Sequence, residues 1–121
     1  MTKENKDILL KYLCMALPYD CMVTIAEGGI DGLQWDNVTL NSYLLYQIEE
    51  EDGLEYIKPY LRPMSSMTEE EEFEYHNVYV CPINNAWNVV DWLLEHHFDF
   101  MGLIPKNLAI EVTEENNPYK K

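Results

Sequence analysis

Residues 42–62, SYLLYQIEEEDGLEYIKPYLR, carry two runs of alternating side chains on either side of an Asp-Gly pair. In the first run, 42–49, an extended chain sets Leu44, Tyr46 and Ile48 on one side and Tyr43, Leu45 and Gln47 on the other. Asp52-Gly53 is a hairpin-turn signal. The returning run, about 54–62, sets Tyr56, Lys58, Tyr60 and Arg62 on one side with Leu61 opposite, and Pro59 and Pro63 mark an edge or a strand end. The expectation is a pair of antiparallel strands with the acidic run Glu49-Glu50-Glu51-Asp52 at the hairpin tip.

Working outward toward the N-terminus, CMVTIA at 21–26 is rich in residues that favour extended geometry and predicts a strand. Gly28, Gly29 and Gly32 then predict a turn-rich connection to a short strand from Trp35 to Leu40. Residues 21–62 thus read as a small antiparallel meander whose apolar face needs a cover. A helix over 4–16 supplies one: Ile8, Leu9, Tyr12, Leu13 and Ala16 recur at helical spacing, and Pro18 ends it.

Toward the C-terminus, Thr68 with Glu71 forms a capping box, Ser66 with Glu69 being the other register. The predicted helix ends near His76, with Val78 to Cys81 extended. A stronger helix spans 85–97, where Asn84 or Asn85 caps and Ala86, Val89, Val90, Leu93, Leu94 and His97 trace an apolar side. FDFMGLIP at 98–105 reads as an apolar loop that packs down onto the body or covers a partner, and Leu108 to Val112 as a last strand.

The fold class is α+β: a small antiparallel sheet or strongly bent meander of 3–5 strands, packed with an N-terminal helix and a C-terminal helical part. A length of 121 residues fits one domain over 1–121. Its parts are a helix in 1–17, the meander in 21–62, a helical part in 68–97, a packed loop and short strand in 98–112 and a frayed polar tail in 113–121.

Charge sets the class of partner. Twenty-two acids against eight bases leave a net charge of −14. No Lys or Arg stands between Lys11 and Lys58, or between Arg62 and Lys106. Such a chain repels nucleic-acid backbones and anionic lipid, and attracts basic partners. No window is apolar enough to cross a membrane, and the first twenty residues read as a helix rather than a leader. Cys14, Cys21 and Cys81 form no CxxC pair and fit a reducing, cytoplasmic setting.

The segment YIKPYLRP at 56–63 is the candidate ligand site, with Lys58 and Arg62 beside Tyr56 and Tyr60 as a small anion grip with aromatic walls. Trp87, Trp92, Phe98, Phe100 and Met101 are candidate interface residues, since aromatic groups beside an apolar loop make interface centres. Asp91, Glu95 and Asp99 read as a polar helix face, and His96-His97 does not match a metalloprotease pattern. Phosphate-loop, nucleophile-elbow and dinucleotide motifs are missing from the sequence, so no catalytic residue, metal site or cofactor is expected.

Three stretches resemble segments of short acidic proteins of gut Bacteroidetes, their phages and their mobile elements: Leu17-Pro18-Tyr19, IKPYLRPMSSMTEEE at 57–71 and DWLLEHHFDFMGLIPKNLAIEV at 91–112. The resemblance implies an accessory role in phage or mobile-element biology and carries over no functional residue. The expected function is a non-enzymatic, protein-interaction domain acting on a basic partner, with mimicry of nucleic acid as a sub-case. The alternatives are a small enzyme or anionic-ligand binder built on Lys58 and Arg62, and an oligomer-forming structural module.

Overall fold

The computed structural model describes residues 2–30, 33–50, 53–80 and 86–119. Among the described residues the fold is α+β, with four helices and a four-stranded mixed sheet. Helix α1 (Lys3–Ala16) starts at Thr2, whose hydroxyl accepts the Asn5 N–H at 3.1 Å. It buries Leu9, Tyr12, Leu13 and Ala16 of the predicted stripe, with Ile8 partly buried beside them. A single 3-10 turn through Pro18 follows, and Asp20 in left-handed geometry leads into the sheet.

Strands β1 (Met22–Ile30) and β2 (Leu33–Thr39) form an antiparallel pair. Gly28 and Gly29 lie inside β1 rather than in a connection; Gly32 is outside the described residues. Between the pairs Val23–Val38 and Ile25–Trp35, β2 carries one residue more than β1. Asn37 takes up that excess with a φ of 51°, and the Thr24 hydroxyl donates to Asp36 at 3.0 Å.

The expected strand at 42–49 is a helix, α2 (Ser42–Glu50). Leu44 and Leu45 are both buried although adjacent, and Ile48 is fully buried. A strand with one wet face sends neighbours to opposite sides, whereas a helix gathers positions four apart. Asn41 supplies the start, its side-chain oxygen accepting the Leu44 N–H at 2.9 Å. Tyr43 and Tyr46 take the water side. The hairpin tip is therefore corrected as well: Glu49 and Glu50 belong to α2, and Gly53 opens a 3-10 turn, while Glu51 and Asp52 lie outside the described residues.

Strand β3 (Ile57–Leu61) enters the sheet beside β1, giving the order β2-β1-β3-β4 instead of a meander. Helix α2 fills the link between β2 and β3, and these two consecutive strands are not neighbours in the sheet. Ile57, Pro59 and Leu61 face the core. Helix α3 (Glu69–Val80) keeps the predicted capping box: the Thr68 N–H donates to Glu71 at 3.0 Å and the Glu71 N–H to the Thr68 hydroxyl at 3.2 Å. It runs through Val78 to Val80, which were expected to be extended; Cys81 and the cap candidates Asn84 and Asn85 are outside the described residues.

Helix α4 (Ala86–Glu95) ends in a Schellman motif. The Phe98 N–H reaches the Leu93 carbonyl and the His97 N–H the Leu94 carbonyl, with His97 left-handed at φ 63°. Residues 98–104 then pack onto the body, the first of the two expected alternatives for this loop. Asp99 is buried and accepts the Leu103 and Ile104 N–H groups at 2.8 and 2.9 Å, opening a turn that closes at left-handed Asn107. Strand β4 (Ile110–Glu111) pairs in parallel with β3. The core joins α1, α2, β1, β3, Leu94, Leu103 and Leu108. Among the described residues no helix is long and apolar enough to cross a membrane.

Candidate functional site

Strand alternation places Lys58 and Tyr60 on the outer side of β3, with Arg62 just beyond its end. They do not converge. The Arg62 guanidinium reaches α3, where its two terminal nitrogens donate to the two Glu71 oxygens at 2.7 and 2.6 Å. It also lies over the Phe98 ring, 4.3 Å from the centroid. This pairing holds the Glu71 carboxyl at about 2, well below its usual range. The Lys58 ammonium turns instead to Asn107, donating to its side-chain oxygen at 3.2 Å. Tyr56 is exposed beyond the other end of the strand.

Two surface clefts border the same strand. One, of about 500 Å³, is lined by Arg62, Ser66, Thr113, Glu114 and Asn117. The other, of about 290 Å³, lies between Asn37, Tyr60 and residues 115–118. Each cleft takes one member of the expected quartet, and neither takes Lys58 or Tyr56. The anion grip is therefore not assembled: its strongest cation already holds a carboxylate in two short hydrogen bonds.

The described interface candidates are also wholly or partly packed inward. Phe98 is fully buried, because the Schellman turn and its pairing with Arg62 draw it under the sheet edge. Phe100 and Met101 pack on the core, and Phe100 lies 5.8 Å from the Tyr12 ring. Trp92 is half-buried, stacked on Phe98 at 5.8 Å and against His96 at 4.3 Å and Tyr75 at 5.6 Å. The side chain of Trp87 lies outside the described residues. Of the polar face, Asp91 accepts the Tyr19 hydroxyl at 3.0 Å. His96 approaches Glu71 at 3.5 Å, and His97 is driven down to about 4 by its burial. Among the described residues no three His, Cys, Asp or Glu side chains are placed to share a metal.

The outer side of α3 is open to water, as are Tyr43 and Tyr46 on α2. Glu71 and Tyr75 turn toward Arg62 and Trp92. Phe73 points the opposite way and is 68% exposed. Glu69 and Glu70 stand one turn before it, His76 and Asn77 one turn after, and Glu72 and Glu74 flank it, all exposed. Sequence reasoning read this Glu run as a helix start and missed the phenylalanine within it. The available signal was a large apolar residue with acids three and four positions before it on a capped helix.

The tail was missed for another reason. It was expected to fray, but Tyr119 is anchored: its hydroxyl accepts the Met22 N–H at 2.9 Å and donates to the Tyr60 carbonyl at 2.8 Å. Its ring stacks on His97 at 3.7 Å, nearly parallel. A lone aromatic in a polar tail carries no periodic signal. No protein family, curated protein or solved structure matches the chain.

Proposed function

We propose that this chain is a protein-interaction domain whose outer α3 face receives a basic segment of a partner protein. The observation that carries the reading is Phe73, 68% exposed and surrounded by carboxylates on a capped helix. A lone phenylalanine in water gains by burial, and a desolvated aromatic at a contact centre is the usual anchor of an interface. The surrounding acids select what brings the pocket: a segment with Lys or Arg flanking an apolar recess. Lys58 and Arg62, the two bases between residues 12 and 105, are turned to Asn107 and Glu71. The same field, at a net charge of −14, disfavours direct binding of nucleic acid. The setting is a reducing cytoplasm, in which the buried Cys21 thiol, pushed up to about 11 by burial, stays protonated and unreactive. The sequence resemblance adds a phage or mobile-element context.

Side-by-side affinity capture with the wild type and Phe73→Ala, read by quantitative mass spectrometry, tests the reading. It expects a partner with a basic segment whose recovery falls at least about tenfold with the variant, and which salt elutes. Equal recovery on both forms, or partners that lack basic segments, refutes it.

A further inference from the structure

The junction of β1 and β3 is built around a missing ladder bond. The two strands pair Val23 with Pro59, Thr24 with Lys58 and Ile25 with Ile57, and the Ala26 N–H donates to the Tyr56 carbonyl at 2.8 Å. The same register sets Met22 opposite Tyr60, and the antiparallel pattern makes their N–H and C=O the next bonding pair. The Met22 N–H and the Tyr60 carbonyl are both turned to a side chain instead. The Tyr119 hydroxyl stands between them, accepting from Met22 at 2.9 Å and donating to Tyr60 at 2.8 Å. Cys21 Sγ is 3.8 Å from the same oxygen. One wall is the His97 ring, 3.7 Å from the Tyr119 ring and tilted by 8°.

We propose that Met22 N–H, the Tyr60 carbonyl and the His97 ring form a recognition notch for a phenol, filled in cis by Tyr119 and able to take a phenol supplied in trans. A hydroxyl that must both accept and donate is met by a phenol and not by a phenylalanine or an aliphatic chain. The flat wall selects an aromatic ring. Burial raises the phenol's pKa well above the ordinary tyrosine value, so it stays neutral and keeps the proton it donates.

The occupant is held lightly from its own side. Strand β4 has two residues, and Thr113 to Asn116 are exposed and bonded mainly within their own turn. Release of such a segment is a local opening rather than global unfolding. The opening frees the notch without disturbing the outer face of α3, so this inference is independent of the proposed partner surface.

The test uses the full chain carrying Tyr119→Ala, titrated with 4-methylphenol and, separately, with toluene. The readouts are the His97 ring proton signals and the melting temperature. The expected result is saturable 4-methylphenol binding with a half-point on the order of 1 mM. The His97 signals should shift toward their wild-type positions, the melting temperature should rise, and toluene should act at least about tenfold more weakly. If the variant is unfolded alone, the same titration reads phenol-driven folding. Equal action of toluene, or no saturable effect of 4-methylphenol because Met22 and Tyr60 have closed on each other, overturns the proposal. A nine-residue peptide of sequence 113–121 gives the source: binding tighter than 4-methylphenol assigns the notch to a chain segment, and binding no tighter assigns it to small phenols.

Discussion

Replacing Glu71 removes more than a surface charge. Its carboxylate accepts both Arg62 nitrogens at 2.7 and 2.6 Å and the Thr68 N–H at 3.0 Å, and its side chain is only 15% exposed. Glu71→Ala deletes half of the capping box, about 0.5–1 kcal/mol, and leaves the Arg62 guanidinium over Phe98 without its anion, about 1.5–3 kcal/mol. Water reaches part of both groups, so the total is about 2–3 kcal/mol. Glu71→Gln keeps an acceptor for Thr68 and loses the charge, for about 1–2 kcal/mol. The pH dependence gives the reasoning its sharper form. Arg62 lowers the folded carboxyl from 4.5 to about 2. Above about 4.5 the carboxylate is ionised in both states and its contribution is complete; as pH falls toward 2 the unfolded chain takes up the proton first and the contribution is lost. Urea denaturation of the wild type and Glu71→Gln across this range therefore shows a gap that is constant at neutral pH and closes in acid. A gap below about 0.5 kcal/mol at neutral pH, or one of the same size throughout, refutes the argument.

Further outcomes follow from the same contacts. His97 titrates near 6.5 when unfolded and about 4 when folded, so wild-type stability is flat above that window and falls within it, by about 1–2 kcal/mol after screening of a partly exposed ring. Thermal melts of His97→Asn, which keeps the left-handed turn, should lack this step. Asp99→Ala orphans the Leu103 and Ile104 N–H groups in a buried turn and should cost about 2–4 kcal/mol in the same urea assay. Leu44→Ala and Leu45→Ala should each cost about 2–4 kcal/mol and Tyr46→Ala under about 0.5 kcal/mol, two costly neighbours being the pattern of a helix rather than of a strand with one wet face.

The parts legible in the sequence are those where local chemistry and tertiary packing agree. The α1 helix and the Thr68–Glu71 box each have their cause within a dozen residues, and each stands in the structure as read. Residues 42–49 satisfied two periods at once. Leu44, Tyr46 and Ile48 alternate, while Leu44, Leu45 and Ile48 make a helical stripe, and the tyrosines were counted as apolar on the wrong side. What decided between the two was Asn41, a cap whose effect depends on the helix it starts. The strand order was out of reach for a different reason. Pairing β1 with β3 rather than placing the strands in chain order follows from α2 occupying the connection, so one local misreading carried into the topology. The site followed the same pattern: alternation put Lys58 and Arg62 on one side correctly, but the partners that take them, Asn107 and Glu71, come from elements 49 and 9 residues away.

The fate of those two bases bears on how an acidic domain recognises anything. A chain with a net charge of −14 has few cations to place, and the fold puts Arg62 and Lys58 where they join elements: Arg62 ties the end of β3 to α3, and Lys58 ties β3 to the turn at Asn107. Two of the chain's scarce cations thus serve as internal ties. Glu69, Glu70, Glu72 and Glu74 remain at the surface with their field turned outward and Phe73 among them. On the proposed reading the partner brings positive charge and a place for a ring to that face, and association should be fast at low ionic strength and slow sharply as salt rises. Phe73→Ala should leave that salt-dependent on-rate nearly intact and raise the off-rate, whereas Gln at positions 69, 70 and 74 should do the reverse. Stopped-flow kinetics on the captured partner separate the two, and a ring deletion that slows association as much as charge removal does contradicts this division of labour.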